Sequence, residues 1–224
     1  MKFFRQTALV SCFLLGAPVL AENQYLQQQL EPILIGESHT IEEQQIHSPE
    51  MTIATYKANG FEQVWADIKY AKQVLNLIAQ SELEGLSPND YHFDTLLALI
   101  DEVDKRGTDA AEAQFDVLMT DAIMTYAKHL IRGKVNPKQL ASTWNYEQFD
   151  VSPDAAAASL LKHVKSKSLD KGLNNLKPVL PHYQRLKKGL VFYRELDAKG
   201  ELPAISLQSK ALKPGQTDPA VPLL

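Results

Sequence analysis

The chain has 224 residues, 45% of them hydrophobic, and a formal net charge of -4 at pH 7. An acidic chain of this kind does not favour a nucleic-acid-binding function. Because a chain of this length can bury about 70% of the surface that its unfolded form exposes, we expect one domain with a substantial core and extended tails.

The first 21 residues have the pattern of a cleavable secretory signal peptide. Lys2 and Arg5 precede an apolar run that ends at Leu20, and Ala21 precedes polar residues. The run has about 13 residues, fewer than the roughly 20 that cross a bilayer, which disfavours an uncleaved anchor. A lipoprotein cleavage at Cys12 is a second alternative, disfavoured because little apolar sequence precedes it. We expect cleavage after Ala21.

Residues 22–50 are glutamine-rich and polar, which predicts a helical or loose N-terminal arm. This arm contains the nearest approach to a metal-ligand cluster, in which His39 and Glu43 could share a helical face and His47 follows. Zinc needs three or four converging groups, and a polar arm normally carries such residues on a solvated face. No metal site is therefore predicted.

Apolar residues at spacings of three and four predict three helices between residues 67 and 133, of which the last is a long central core helix. Capping signals place their starts at Asp67, Asp94 and Asp109, with Glu112 at the third position of the last helix, and their ends at Gly85, Gly107 and Gly133. The predicted buried faces are Ala71, Val74, Leu75, Ile78 and Leu83; Leu96, Leu97, Leu99, Ile100 and Val103; and Phe115, Leu118, Met119, Ala122, Ile123, Tyr126, Ala127, Leu130 and Ile131.

Three more helices are predicted in the second half of the chain. Ser152-Pro153 starts the first, residues 168–176 form a short second one, and Pro181 starts the third, which Gly200 closes. No run of alternating β-branched residues predicts a sheet. The predicted fold class is therefore all-α, an irregular multi-helix domain over residues 51–200 with an extended, proline-rich C-terminal tail over residues 201–224.

The search for catalytic motifs finds no glycine-rich phosphate loop, no G-x-S-x-G and no H-E-x-x-H. Asp116 and Asp121 flank the core of the central helix on different sides, and surface charge or capping is expected of both. Thr120 is expected to bond back to the preceding turn, and Asp121 to pair with or cap a neighbouring segment. The sequence predicts no catalytic, cofactor-binding or metal-binding residue and no cofactor.

Several short stretches are more specific than periodicity. GLSPNDYH (85–92), LMTDAIMTYAKHLIRGKVNP (118–137) and LPHYQRLKKGLVFYREL (180–196) occur in this order, together with Trp65, Trp144 and the closing LKPGQTDPAVPLL. This set resembles the N-terminal scaffold domain of the large, YcbB-type periplasmic L,D-transpeptidases. Those enzymes cross-link peptidoglycan by joining meso-diaminopimelate residues of neighbouring stem peptides. Tyr91 is expected to pack beneath the turn of the first stretch, and both tryptophans are expected to be core or groove aromatics.

The resemblance implies that residues 51–200 are a helical scaffold domain, followed by a peptidoglycan-binding domain and by a catalytic domain with its cysteine in an S/T-H-G-C motif. The closing LKPGQTDPAVPLL resembles the first turn of that peptidoglycan-binding domain. Transpeptidation needs a cysteine thiolate, and Cys12 is the only cysteine. The chain is therefore expected to be a periplasmic, non-catalytic scaffold portion that is inactive alone. Its expected partners are the peptidoglycan-binding and catalytic domains, with peptidoglycan or other wall enzymes as further candidates.

Two other hypotheses stay open. The chain could be an independent periplasmic module that binds peptidoglycan or a cell-wall enzyme, or a stand-alone enzyme with a carboxylate or histidine site that no motif reveals. An exposed apolar patch close to the C-terminal tail would favour the scaffold hypothesis. A fold without a cleft that brings carboxylates or histidines together would refute the stand-alone enzyme.

Overall fold

The computed structural model describes residues 19–137, 151–200, 211 and 213–218. The chain divides into two compact units, residues 1–179 and residues 180–224. Trp144, most of the predicted signal peptide and most of the predicted tail lie outside the described residues.

The all-α fold class is confirmed, since the described strands are two residues long and pair only with each other. The 3-10 turns Gln80–Glu84 and Pro88–Tyr91 connect α3 to α4. The described helices and strands are α1 (Val19–Leu34), β1 (Thr40–Ile41), β2 (Gln44–Gln45), α2 (Pro49–Ala58), α3 (Ile68–Ala79), α4 (Phe93–Arg106), α5 (Asp109–Arg132), α6 (Pro153–Lys165), α7 (Leu169–Leu176) and, in the second unit, α8 (Pro181–Asp197).

The first unit is built around α5, which has 24 residues. All of its residues from 115 to 126 are buried, as expected of a helix that other elements surround. α1, α2, α4 and α7 pack against it, and α6 packs against α2. Four of the buried side chains of α5 are polar: Asp116, Thr120, Asp121 and Thr125.

Helix α1 (Val19–Leu34) begins in the last three residues of the predicted signal peptide, forms the first part of the predicted polar arm and packs on α5. Leu26, Leu30 and Ile33 recur at helical spacing and are buried in the core, where Ile41 and Ile46 of the following hairpin join them. Glutamine and glutamate occupy most of the intervening positions. Their number hides the narrow apolar stripe when only the composition of the segment is considered.

The predicted start of α3 is confirmed, because the side chain of Asp67 accepts a hydrogen bond from the backbone N–H of Tyr70 (3.0 Å). The helix passes into the 3-10 turn at Gln80, and Gly85 ends that turn with φ of 76°. The prediction that Leu83 is buried is wrong, since it is exposed. A 3-10 turn repeats every three residues, so the 3.6-residue period does not extend to this position.

Two predicted caps are wrong by one or two residues. α4 begins at Phe93 after His92, so Asp94 lies within its first turn. α5 is capped by Thr108, whose hydroxyl accepts from the N–H of Ala111 (3.4 Å), so Asp109 and Glu112 lie inside the helix. Acidic residues in the first turn also favour the helix N-terminus electrostatically, which makes the cap and the first turn hard to tell apart. Leu97, predicted to be buried, is exposed.

The three predicted helices of the second half are confirmed. Ser152 caps α6 through a weak bond from the N–H of Ala155 (3.5 Å), α7 follows Ser168, and α8 begins at Pro181. No residue of α8 is buried. Within the described ranges, none of the helices combines the length and the apolar composition that crossing a bilayer requires.

Candidate functional site

Two carboxylates, Asp116 and Asp121, lie in the middle of α5 and are 2% and 0% exposed. The prediction of surface charge is therefore wrong for both residues, and the alternative prediction of capping fits only Asp121, which accepts from the N–H of Ser48 at the start of α2. A carboxylate is retained at such a position only where hydrogen-bond donors replace its hydration. Since the two residues are five positions apart on a helix, they reach different neighbours.

Asp116 fixes the segment that leads from α2 to α3. Its oxygens accept from the hydroxyl of Tyr56 (2.6 Å) and from the backbone N–H groups of Val64 (3.0 Å) and Trp65 (2.7 Å). The indole N–H of Trp65 donates to Thr120 Oγ1 (3.0 Å), and the Thr120 hydroxyl donates back to the Asp116 carbonyl (2.9 Å). The predictions that Trp65 is a core aromatic and that Thr120 bonds to the preceding turn are both confirmed.

Burial raises the pKa of Asp116 to about 6, although the hydrogen bonds from Tyr56, Val64 and Trp65 oppose this rise. Burial and the nearby carboxylate also raise the pKa of Tyr56 well above its ordinary value, so this hydroxyl remains a donor at neutral pH. The cluster is therefore a fixed structural contact with all of its carboxylate oxygens in use.

Asp121 joins three separate parts of the chain. One oxygen accepts from the N–H of Ser48 (2.7 Å), and the other accepts from the N–H of His47 (3.0 Å) and from His92 Nε2 (2.9 Å). The hydroxyl of Thr52 adds a long contact of 3.4 Å. Asp121 thus caps a neighbouring segment, as predicted, and it also ties the residue that precedes α4 to α5.

The stretch GLSPNDYH ends in two residues that the Asp121 region holds in place. His92 has a φ of 56°, in the left-handed region that few non-glycine residues adopt. The expectation that Tyr91 packs beneath the turn is confirmed. Its ring lies against Tyr126 with a centroid distance of 5.1 Å, and its hydroxyl lies 3.0 Å from His129 Nδ1.

A polar pocket opens beside this cluster, with a volume of about 270 Å³. In it the ammonium group of Lys128 donates to the carbonyl of His47 (3.0 Å) and to Ser48 Oγ (2.9 Å), while Lys134 pairs with Asp90 at 2.6 Å. The residues that line this polar pocket are His47, Asp90, Thr125, Lys128, His129 and Lys134.

The contact between Ser48 and Lys128 resembles a serine–lysine pair, which some hydrolases use as nucleophile and base. Ser48 is only 4% exposed, and its hydroxyl is also 2.9 Å from Thr125 Oγ1. It therefore bridges α5 and the start of α2. A nucleophile must instead reach a substrate carbonyl from an open site.

The residues of the N-terminal arm that come nearest to a metal-ligand cluster in the sequence, His39, Glu43 and His47, lie along a hairpin and just after it. Glu43 lies in its turn, and the carbonyl of His39 accepts from the N–H of Ile46 (2.6 Å). The structure therefore corrects the expectation that His39 and Glu43 share a helical face. In the part of the chain that is described, no three His, Cys, Asp or Glu side chains are placed to hold a metal ion.

An apolar cavity of about 230 Å³ lies between α2, α5, α6 and α7. Most of the residues that line it are apolar, such as Met51, Met124 and Leu173, while Lys128 and His163 supply polar groups. It could accommodate a small hydrophobic group, but it holds no set of converging donors and acceptors that would orient a reacting ligand.

The polar pocket could not be predicted from the sequence, because its residues come from three distant stretches of the chain. One local signal was present. Asp121, Thr125, Lys128 and Arg132 are polar residues spaced by four, three and four positions along the second half of α5, where most of the other residues are apolar. Such a polar stripe on a buried helix indicates that a polar segment packs there.

Comparison with known proteins gives one finding for this chain. A family model described as "Scaffold domain" matches residues 51–190. No curated protein and no solved structure matches the chain significantly. The matched range includes both buried carboxylates of α5 and begins after His47 and Ser48.

Proposed function

The chain belongs to the Scaffold domain family, and from this premise we propose that it is the non-catalytic scaffold portion of a YcbB-type peptidoglycan L,D-transpeptidase. In this proposal the helical body positions a peptidoglycan-binding domain and a catalytic domain during cell-wall cross-linking. The signal-peptide pattern in residues 1–21 supports export to the periplasm.

The observation that carries the proposal is the exposed apolar surface of α8. Leu186, Phe192 and Tyr193 are 73%, 60% and 68% exposed. Of the twelve large apolar side chains that are exposed in the described residues, six lie between positions 179 and 193. Such a concentration marks an interaction surface. α8 extends over about 25 Å at 1.5 Å per residue, enough to contact a folded domain along its length.

The two carboxylate clusters of α5 support a positioning role. Asp116 holds the segment before α3, and Asp121 holds the start of α2 and the start of α4. Hydrogen bonds to a charged group contribute about 1.5–3 kcal/mol each to stability. Because both clusters are buried, they fix the relative positions of the helices that surround α5. A scaffold needs this rigidity to hold its partners in a defined geometry.

The chemistry of the described residues also favours scaffolding over catalysis. Transpeptidation needs a thiolate, a base that activates it and donors for the oxyanion. Cys12, the only cysteine, lies in the predicted signal peptide. The oxygens of Asp116 and Asp121 are occupied by backbone and side-chain donors, so neither carboxylate is available as a base.

The test uses residues 22–224 and, as a separate polypeptide, the peptidoglycan-binding and catalytic domains of a YcbB-type transpeptidase. Titration calorimetry measures their association, and muropeptide chromatography measures the formation of meso-diaminopimelate cross-links. We expect a saturable complex, no cross-links from residues 22–224 alone, and at least a tenfold loss of affinity when Leu186→Ser and Phe192→Ser are combined.

The matched control is Leu97→Ser, at a leucine of α4 that is 50% exposed, which should leave the affinity unchanged. Cross-links made by residues 22–224 alone would refute the non-catalytic role. Absence of a complex, or an equal loss of affinity in the control, would refute docking through α8. Strong co-sedimentation of residues 22–224 with purified sacculi would instead favour an independent peptidoglycan-binding module.

A further inference from the structure

The polar pocket beside Asp121 is lined mainly by hydrogen-bond donors. Lys128 and Lys134 contribute two positive charges, and Asp90 contributes one negative charge. Burial lowers the pKa of Lys128, Asp121 and Glu50 oppose this shift, and Arg132 adds to it. Asp121 lies behind the pocket, but its carboxylate already accepts hydrogen bonds from His47, Ser48 and His92. The two lysines are thus balanced by Asp90 and Asp121, and what the pocket offers a ligand is a set of hydrogen-bond donors.

Lys128 is positioned to bind a further acceptor. An ammonium group has three donors. Two of them are used, for the carbonyl of His47 and for Ser48 Oγ. Within the described residues this leaves one donor of Lys128 for a group in the pocket. The two existing bonds also fix the side chain, so the entropy lost on binding a ligand is reduced.

His129 lies in the pocket wall as a neutral ring. Burial, with Lys128 and Lys134 nearby, lowers the pKa of His129 to about 4, so the ring is neutral at pH 7. Burial raises the pKa of Tyr91, so its hydroxyl keeps its proton. The Tyr91 hydroxyl lies 3.0 Å from His129 Nδ1, and the tautomer of the ring decides which of the two donates. Binding of a ligand by this ring requires the tautomer in which the hydroxyl donates. A neutral imidazole with Nδ1 as acceptor carries its proton on Nε2, which makes Nε2–H a donor.

We propose that this pocket binds a small oxyanion, best a carboxylate carried by a peptide, through Lys128 Nζ, His129 Nε2 and Lys134 Nζ. The volume of about 270 Å³ is several times the roughly 30 Å³ that one water molecule occupies in the liquid. It admits a carboxylate together with the residue that bears it. Lys134 is shared between the ligand and Asp90, so Asp90 competes with the ligand for this ammonium group. This inference goes beyond the scaffold role and does not rest on it.

The test follows histidine side-chain NMR signals of residues 22–224 during titration with three probes: inorganic phosphate, acetyl-Ala-Ala and the C-terminal amide of acetyl-Ala-Ala. We expect saturable shifts of the His129 signal with the peptide acid and at least a tenfold weaker response to the amide. Binding of phosphate as strong as that of the peptide acid would support a general oxyanion site. Binding of the peptide acid alone would support a peptide carboxylate site.

Two substitutions at the ion pair should act in opposite directions. Lys134→Ala should weaken binding at least tenfold, while Asp90→Asn should strengthen it severalfold, because it releases Lys134 and removes the competing charge. Lys72→Ala is the matched control, since Lys72 pairs with Asp104 at the same distance of 2.6 Å and is similarly exposed. The proposal is overturned if no probe gives a saturable shift, if acid and amide bind equally, or if Lys134→Ala behaves like the control.

Discussion

Replacing Asp121 by alanine should reduce the free energy of unfolding by about 3–5 kcal/mol, the cost of removing one partner from a buried, charged network. The substitution leaves the N–H groups of His47 and Ser48 and the Nε2 of His92 without their acceptor. An unsatisfied buried donor costs about 1–3 kcal/mol. Because the surrounding structure relaxes and water enters, the total loss should lie near the lower end of the sum of the costs of these three donors.

Asp121→Asn should cost about half as much, because the amide keeps one oxygen acceptor at the same position but lacks the charge. Urea unfolding followed by circular dichroism measures both variants, and the midpoint should fall while the slope with denaturant stays the same. The control is Asp101→Ala, where an exposed ion pair with Lys105 at 3.4 Å should contribute less than about 1 kcal/mol. A loss below about 1 kcal/mol for Asp121→Ala would refute the view that Asp121 holds these segments together.

Three further outcomes follow from buried contacts. Because the pKa of Asp116 is raised from an ordinary 3.8 to about 6, the folded state keeps this proton up to a higher pH than the unfolded state does. Its contribution to stability is therefore largest below pH 4 and is lost as the pH rises through 6, by on the order of 3 kcal/mol. The free energy of unfolding of the wild type minus that of Asp116→Asn should fall by this amount as the pH rises across this range, and a rise in this difference would contradict the assignment. Thr120→Val should cost about 1–3 kcal/mol in urea unfolding because it leaves a buried indole N–H without an acceptor, whereas Thr55→Val, whose hydroxyl only bonds back to its own helix, should cost less. Gly172→Ala places a Cβ 2.9 Å from a carbon of the His163 imidazole, and this overpacking should cost about 1–3 kcal/mol and lower the thermal midpoint. Gly189→Ala, with nothing within 4 Å of the added Cβ, should raise the midpoint slightly. Equal effects at the two glycines would contradict the packing described.

The helical architecture could be predicted because its signals are local. Asp67 and Ser152 mark helix starts by accepting from a backbone N–H three positions further on, and Pro181 marks one through its fixed φ at the first helical position. The one-residue error at Asp109 has the same origin. Thr108 and Asp109 are both good N-terminal residues, and only the backbone conformation of Thr108 decides which of them is the cap.

The candidate site could be predicted only in part, because its partners are distant in sequence. Asp121 was expected to cap another segment, but no local pattern indicates that this segment is residues 47–52. The left-handed conformation of His92 likewise depends on the fold as a whole. The apolar spacing in α8 predicted a helix correctly, yet periodicity alone does not say whether the apolar face is covered by the same unit.

The contacts of Asp121 also bear on the order in which the chain folds. Its hydrogen bonds to His47 and Ser48 span 74 and 73 positions, while the bonds within α5 span four. Closing a long loop costs chain entropy before the contact can form, so α5 should be helical before its carboxylate acquires these donors. Contacts that form after the transition state mainly slow unfolding. Asp121 should thus act on the lifetime of the folded state more than on the speed with which it is reached.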